Sequence, residues 1–135
     1  MKIAKSETKS IDLKIPFKKA FEYLSNVENW PQWAIVNMIS AKRNEDGSFQ
    51  TKTKFGEGTI RMKPNIELGI LDHSWTDPQA HWTVPCRLIP NGEGCTFTIT
   101  LFQPPNMNES QFRQAMTEMN REMTALKKCA EVLMD

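Results

Sequence analysis

His73 is one of two histidines in a chain of 135 residues, and its neighbours decide what it can do. In an alternating strand it shares a face with Leu71 and Trp75 and, across a hairpin, with Trp82. An imidazole, with an ordinary pKa of about 6.5, can there hydrogen-bond a ligand or act as general acid or base. It can equally be a core histidine whose ring nitrogens are met by backbone or water. Asp72 points to the opposite face, so an Asp72–His73 dyad is sterically poor. Glu67 has the parity of His73 and lies near a turn, which suits a carboxylate orienting the polar end of a ligand, or a solvated one. Thr51 and Thr53 alternate with lysines and offer inward hydroxyls, or serve as plain strand residues. His81 and Arg87 fall on the face opposite Trp82, where surface positions are expected.

Met62, Met116, Met119 and Met123 form a second group. Methionine is flexible and polarisable and adapts to ligands of irregular shape, although a Met stripe at helical spacing is first of all a core stripe. The four tryptophans, Trp30, Trp33, Trp75 and Trp82, carry indole N–H donors that need partners if buried. Cys86, Cys95 and Cys129 cannot all pair within one chain, and none forms a Cys-x-x-Cys element. Free thiols in the cytoplasm follow. An inward, apolar Cys86 stays protonated and inert.

Other chemistries lack their signatures. Neither histidine lies at a zinc-ligand spacing from the cysteines, so no metal is expected, and no cofactor motif occurs. Gly56-Glu57-Gly58 joins strands rather than opening a phosphate-binding helix. With 17 basic and 16 acidic side chains the net charge is +1, and the lysines are scattered, so nucleic acid is not an expected partner. No apolar run approaches the roughly 20 residues a bilayer demands, so no membrane insertion is expected.

The elements that must position these residues follow from periodicity. Ile11–Ile15 alternates as a strand, and Pro16 opens a helix whose face is Phe17, Ala20, Phe21 and Leu24. Val27–Trp33 reads as a loop or short helical turn. From Met38 the pattern is β, with strands broken at Asp46-Gly47, Gly56-Glu57-Gly58, Pro64-Asn65, Asp77-Pro78 and Asn91-Gly92. Glu67–Trp75 and Ala80–Ile89 are each expected as one strand. The turns pair Trp75 with Ala80, His73 with Trp82, Leu88 with Cys95 and Cys86 with Phe97, collecting one apolar face. Phe112, Met116, Met119, Met123, Leu126, Ala130 and Leu133 then make a stripe on a helix of about 25 residues, roughly 37 Å long. Its opposite side carries Arg113, Glu118, Arg121, Glu122, Lys127, Lys128 and Glu131, and Asn108 with Gln111 forms a capping pair.

This order of elements resembles the helix-grip fold of the START-like, or SRPBCC, superfamily. Ile11–Leu24 is similar to its opening strand and helix, and Asn29–Trp33 to the segment that follows. Glu67–His73 and Pro85–Gly92 resemble a bacterial subgroup described as polyketide cyclase/dehydrase-like. The resemblance spans nearly the whole chain and implies one α+β domain over residues 1–135. Its curved antiparallel sheet would wrap the long C-terminal helix, with two short helices after the first strand.

Three functions are compatible with it. The first is binding of a small apolar or amphipathic molecule in a cavity of at least about 300 Å³ between sheet and helix. Thr51, Thr53, Met62, Glu67, His73, Trp82, Met116, Met119 and Met123 are its candidate lining. The second is a cyclase or dehydrase in which His73 moves a proton. The third is an interaction module, homodimeric through an exposed Trp30-Pro31-Gln32-Trp33 patch.

Overall fold

A computed structural model describes residues 1–134. Strand β1 (Ser6–Leu13) leads into α1 (Phe17–Ser25), whose buried face is Ala20, Phe21, Tyr23 and Leu24. A 3₁₀ helix, Val27–Gln32, follows at once. Asn26 starts it by accepting the Glu28 N–H at 3.1 Å, and Pro31 keeps it from becoming a regular helix. Three side-chain bonds fasten this segment to α1. Trp30 Nε1 donates to Leu24 O at 2.9 Å, Asn29 to Tyr23 O at 3.1 Å, and Tyr23 Oη to Gln32 Oε1 at 2.7 Å.

Seven strands come next: β2 (Met38–Arg43), β3 (Phe49–Thr53), β4 (Gly56–Met62), β5 (His73–Asp77), β6 (Ala80–Val84), β7 (Cys86–Asn91) and β8 (Gly94–Phe102). All pairings are antiparallel. They form a three-stranded sheet ordered β1-β8-β7 and a five-stranded sheet ordered β2-β3-β4-β5-β6. The expected strand Ala80–Ile89 is therefore two strands in two sheets. Pro85 divides them, because proline has no N–H to give to a ladder. Its carbonyl still accepts Thr100 N–H at 3.0 Å, which keeps the sheets together.

The hairpin pairings also differ from expectation, by two residues each. Trp75 faces Trp82 and His73 faces Val84, while Leu88 faces Phe97 and Cys86 faces Ile99. Asp77 pairs Ala80 and Asn91 pairs Gly94, so each turn is a two-residue loop. A slip of two preserves the face of every side chain, so the apolar surface is the expected one.

The first six residues of the expected strand Glu67–Trp75 are not strand: a turn over 66–69 is closed by the Asn65–Ile70 bridge, and 71–72 are irregular. Gly69 holds φ +66, and an added Cβ would sit 2.1 Å from Leu88 O. The backbone there lies directly on β7, with Leu88 N–H bonding Gly69 O at 2.8 Å and Leu71 N–H bonding Cys86 O at 3.0 Å.

Helix α2 (Glu109–Val132) starts at a complete capping box between Asn108 and Gln111. It runs along β1 in the same direction. Lys5 pairs with Glu109 at one end; at the other, Lys127 Nζ meets Asp12 O at 2.8 Å and Lys14 N–H meets Glu131 Oε2 at 2.7 Å. Phe112, Met116, Met119, Met123, Leu126 and Ala130 of the stripe are buried. Among the described residues, no helix is long and apolar enough to cross a membrane.

Candidate functional site

The aromatic side of the sheet, the 3₁₀ segment and α2 enclose a half-open cavity of about 250 Å³. That is below the expected ~300 Å³. All four tryptophans line it, together with Thr53, His73, Asn37, Met119 and Glu122. A second recess, among Asp12–Ile15, Asn91, Glu93–Cys95, Lys127 and Met134, mixes four charged side chains with apolar ones and lacks an aromatic wall.

Of the expected lining, Thr53, His73, Trp82 and Met119 reach this cavity, and five residues do not. Thr51 is completely buried, spending its hydroxyl on Gly58 O at 2.9 Å. Met62 packs against the core opposite His73 in the β4–β5 ladder. Glu67 is exposed, because the turn at Gly69 breaks the parity on which its inward placement rested. Met116 and Met123 are buried elsewhere along α2, as core rather than lining. Trp30 and Trp33, the supposed dimer patch, are 7% and 4% exposed and turn inward.

His73 sits against the Trp30 ring, edge-on, with centroids 4.8 Å apart. Its Nδ1 lies 3.3 Å from Leu71 O and 3.9 Å from Cys86 Sγ. A carbonyl only accepts, so Nδ1 carries the proton and Nε2 keeps its lone pair. Burial drives the His73 pKa down to about 4, against smaller upward pulls from Leu71 O and Asp72, so the ring is neutral near pH 7. Asp72 is engaged with Cys86 N–H at 2.8 Å and forms no dyad with it. Burial also pushes the Cys86 thiol far up, which removes it as a nucleophile.

Each indole has a distinct fate. Trp75 stacks on Trp82 with centroids 5.9 Å apart and donates to Asp77 Oδ2 at 2.8 Å. Trp82, on the edge strand, is 44% exposed and frames the mouth. Trp30 is satisfied by Leu24 O. Trp33 is not satisfied: its Nε1 is the one buried side-chain nitrogen or oxygen without a hydrogen-bond partner among the described residues.

Glu122 is a cavity residue that sequence reasoning put on the wrong side of α2. Assigned to the solvated side of α2, it is 4% exposed and lines the cavity. Its Oε2 accepts the N–H groups of Val36 and Asn37, each at 3.1 Å, and Oε1 takes the Asn37 amide at 3.4 Å. Burial raises its pKa, and these donors oppose the rise. The signal was positional. Glu122 stands three residues after Met119 and four before Leu126, on the flank of the apolar stripe. No group of three or more His, Cys, Asp or Glu among the described residues could hold a metal.

This combination of a strand-helix opening, antiparallel sheets and a long terminal helix is shared with solved proteins. The START superfamily protein from Mycobacterium smegmatis matches with TM-score 0.71 and 12% identity, over 95% of this chain and 98% of its own. The chain has the START-like helix-grip fold. The Zhui aromatase/cyclase from Streptomyces sp. R1128 shares that START-like fold at TM-score 0.75 and 10% identity, over 96% of this chain and 94% of its own. XoxI from Bacillus cereus shares it at TM-score 0.72 and 15% identity, over 94% and 95%. No protein-family model and no curated protein sequence matches the chain.

Proposed function

We propose that the START-like cavity binds a small, mainly apolar ligand carrying one polar end. The observation that carries this reading is the Trp33 N–H, buried without an acceptor in a ring that lines the cavity. A buried donor left unpaired costs about 1–3 kcal/mol, and a ligand oxygen would recover that once a small rotation of the ring brings the covered N–H to the cavity surface. The unpaired His73 Nε2 supplies a complementary acceptor for a ligand hydroxyl. Aromatic and aliphatic walls provide the bulk of the affinity, at roughly 25 cal/mol per Å² removed from water.

A cyclase-like reaction is the second reading, favoured by the aromatase/cyclase among the fold neighbours. An imidazole with a pKa of about 4 is a weak base at neutral pH, which counts against proton abstraction by His73.

The test compares 2-naphthol with naphthalene on the wild-type chain and Trp33→Phe, by fluorescence titration. Both probes should bind one to one. Trp33→Phe should weaken 2-naphthol about fivefold and leave naphthalene unchanged. Absence of saturable binding by the folded chain refutes the cavity reading. Native mass spectrometry of the chain purified from its own host should reveal a co-purified small molecule.

A further inference from the structure

A buried charge is ordinarily paired with an opposite charge, because desolvation otherwise penalises it heavily. Glu122 breaks that rule. Its contacts are hydrogen-bond donors from Val36 and Asn37, all uncharged. Lys54 is committed to Glu118, one turn earlier on α2, at 2.7 Å. Among the described residues, Glu122 has no ion-pair partner.

The other polar groups lining the cavity do not compensate it. His73 is neutral, Cys86 is a protonated thiol, and Asn37 and Thr53 carry no charge. Every contact on the carboxyl oxygens comes from a donor, the pattern a carboxylate takes and a protonated acid does not require. These donors favour the carboxylate against the burial that raises its pKa, and an ionised Glu122 gives the cavity a net negative charge. Its walls contain all four indoles of the chain. Indole is the aromatic ring that attracts cations most strongly, and the attraction grows when water is excluded.

From these two observations we infer that the cavity selects an amphipathic organic cation, its ammonium directed to Glu122 and its apolar body held among the tryptophans. A metal ion does not fit the same place, since the walls are apolar and aromatic and one carboxylate is the only anionic ligand. A fatty acid or other carboxylate would bring a like charge into a space already holding one. The inference rests on the cavity-binding reading and adds the sign of the ligand's polar end.

Hexylammonium, hexan-1-ol and hexanoate share one chain and differ in head-group charge, so calorimetric and tryptophan-fluorescence titrations of the full chain at about pH 7.5 isolate that sign. Hexylammonium should bind about tenfold tighter than hexan-1-ol, with hexanoate weakest. Glu122→Gln, checked for folding by circular dichroism, should bring the cation and the alcohol within about threefold of each other. Equal wild-type affinities for hexylammonium and hexan-1-ol, or tightest binding by hexanoate, overturn the cationic assignment while cavity binding stands. Failure of all three to bind overturns both. The wild-type ranking decides the matter even if Glu122→Gln does not fold.

Discussion

Acid should destabilise this protein through His73, by an amount that follows from its surroundings. In the unfolded chain the imidazole titrates near its ordinary 6.5; in the fold, burial lowers this to about 4. Between those values the unfolded state binds a proton that the folded state refuses, so stability falls as pH falls through that window. A gap of roughly 2.5 pH units at about 1.4 kcal/mol per unit amounts to ~3 kcal/mol, complete below about pH 4 and absent above about 6.5. At about pH 4.5 the loss is ~2–3 kcal/mol, a large share of the stability of a domain this size.

His73→Asn isolates this contribution, because asparagine offers Leu71 O a donor and has no charge to gain. Glu122 titrates with the opposite sign. Its raised folded pKa means it favours the fold at low pH and loses that as pH rises, so the total curve of wild type alone is ambiguous. The difference between wild type and His73→Asn removes Glu122 from the comparison. Urea denaturation followed by circular dichroism, at several values from about pH 7.5 to 4.5, should show the variant gaining ~2–3 kcal/mol on wild type as pH falls. A difference that stays constant within ~0.5 kcal/mol would refute the reasoning, since it means the native ring takes up a proton as easily as the unfolded one.

Glu122→Ala leaves the Val36 and Asn37 N–H groups without their acceptor and should cost about 2–4 kcal/mol, read as a lower urea midpoint with unchanged slope. At Gly58 an added Cβ would lie 2.3 Å from the Trp75 ring. Gly58→Val should therefore push Trp75 off Trp82, cost about 1–3 kcal/mol and abolish saturable 2-naphthol binding. Native protein treated with a thiol reagent should be modified at Cys129 alone, because Cys86 and Cys95 are buried; burial lifts the Cys95 pKa to about 11 and Cys86 higher still. Their reaction should wait for denaturant, as mass spectrometry of timed samples will report.

Elements whose pattern is local were legible in the chain. The Ile11–Leu13 alternation, the α1 face, the 3₁₀ stretch before Trp33 and the α2 stripe each repeat with a period their own backbone sets. Strand faces were legible for the same reason, since a hairpin slip of two leaves parity intact. The exact partners were not, because they depend on which residues centre the loop: Pro78-Gln79 instead of Asp77-Pro78, and Gly92-Glu93 instead of Asn91-Gly92, each shift the register by two. Pro85 carries a local signal for a break that the single expected strand Ala80–Ile89 passed over, whereas Gly69 carries none. The need for positive φ there comes from Leu88 O of β7, a contact between elements that no local window contains. Glu67 was misplaced as a direct consequence.

The site divides along the same line. His73 and Thr53 reach the cavity because strand parity takes them there, and Met119 because helical periodicity does. Glu122 failed this kind of reading for a physical reason. A carboxylate on the flank of an apolar stripe is solvated unless something else supplies donors, and here the donors are backbone N–H groups of Val36 and Asn37, more than 80 positions earlier. Burial acts on both ionisable groups of the cavity in the direction that removes charge, lowering the pKa of His73 and raising that of Glu122. Partners oppose burial at both sites: Leu71 O and Asp72 favour the charged His73, and the donors of Val36 and Asn37 favour the charged Glu122. The sign of the cavity's field thus rests on Glu122 together with the short loop before β2, whose backbone N–H groups and Asn37 side chain favour its charge. Any START-like chain that keeps the glutamate but turns that loop away would lose the charge, and with it the discrimination between cationic and anionic ligands.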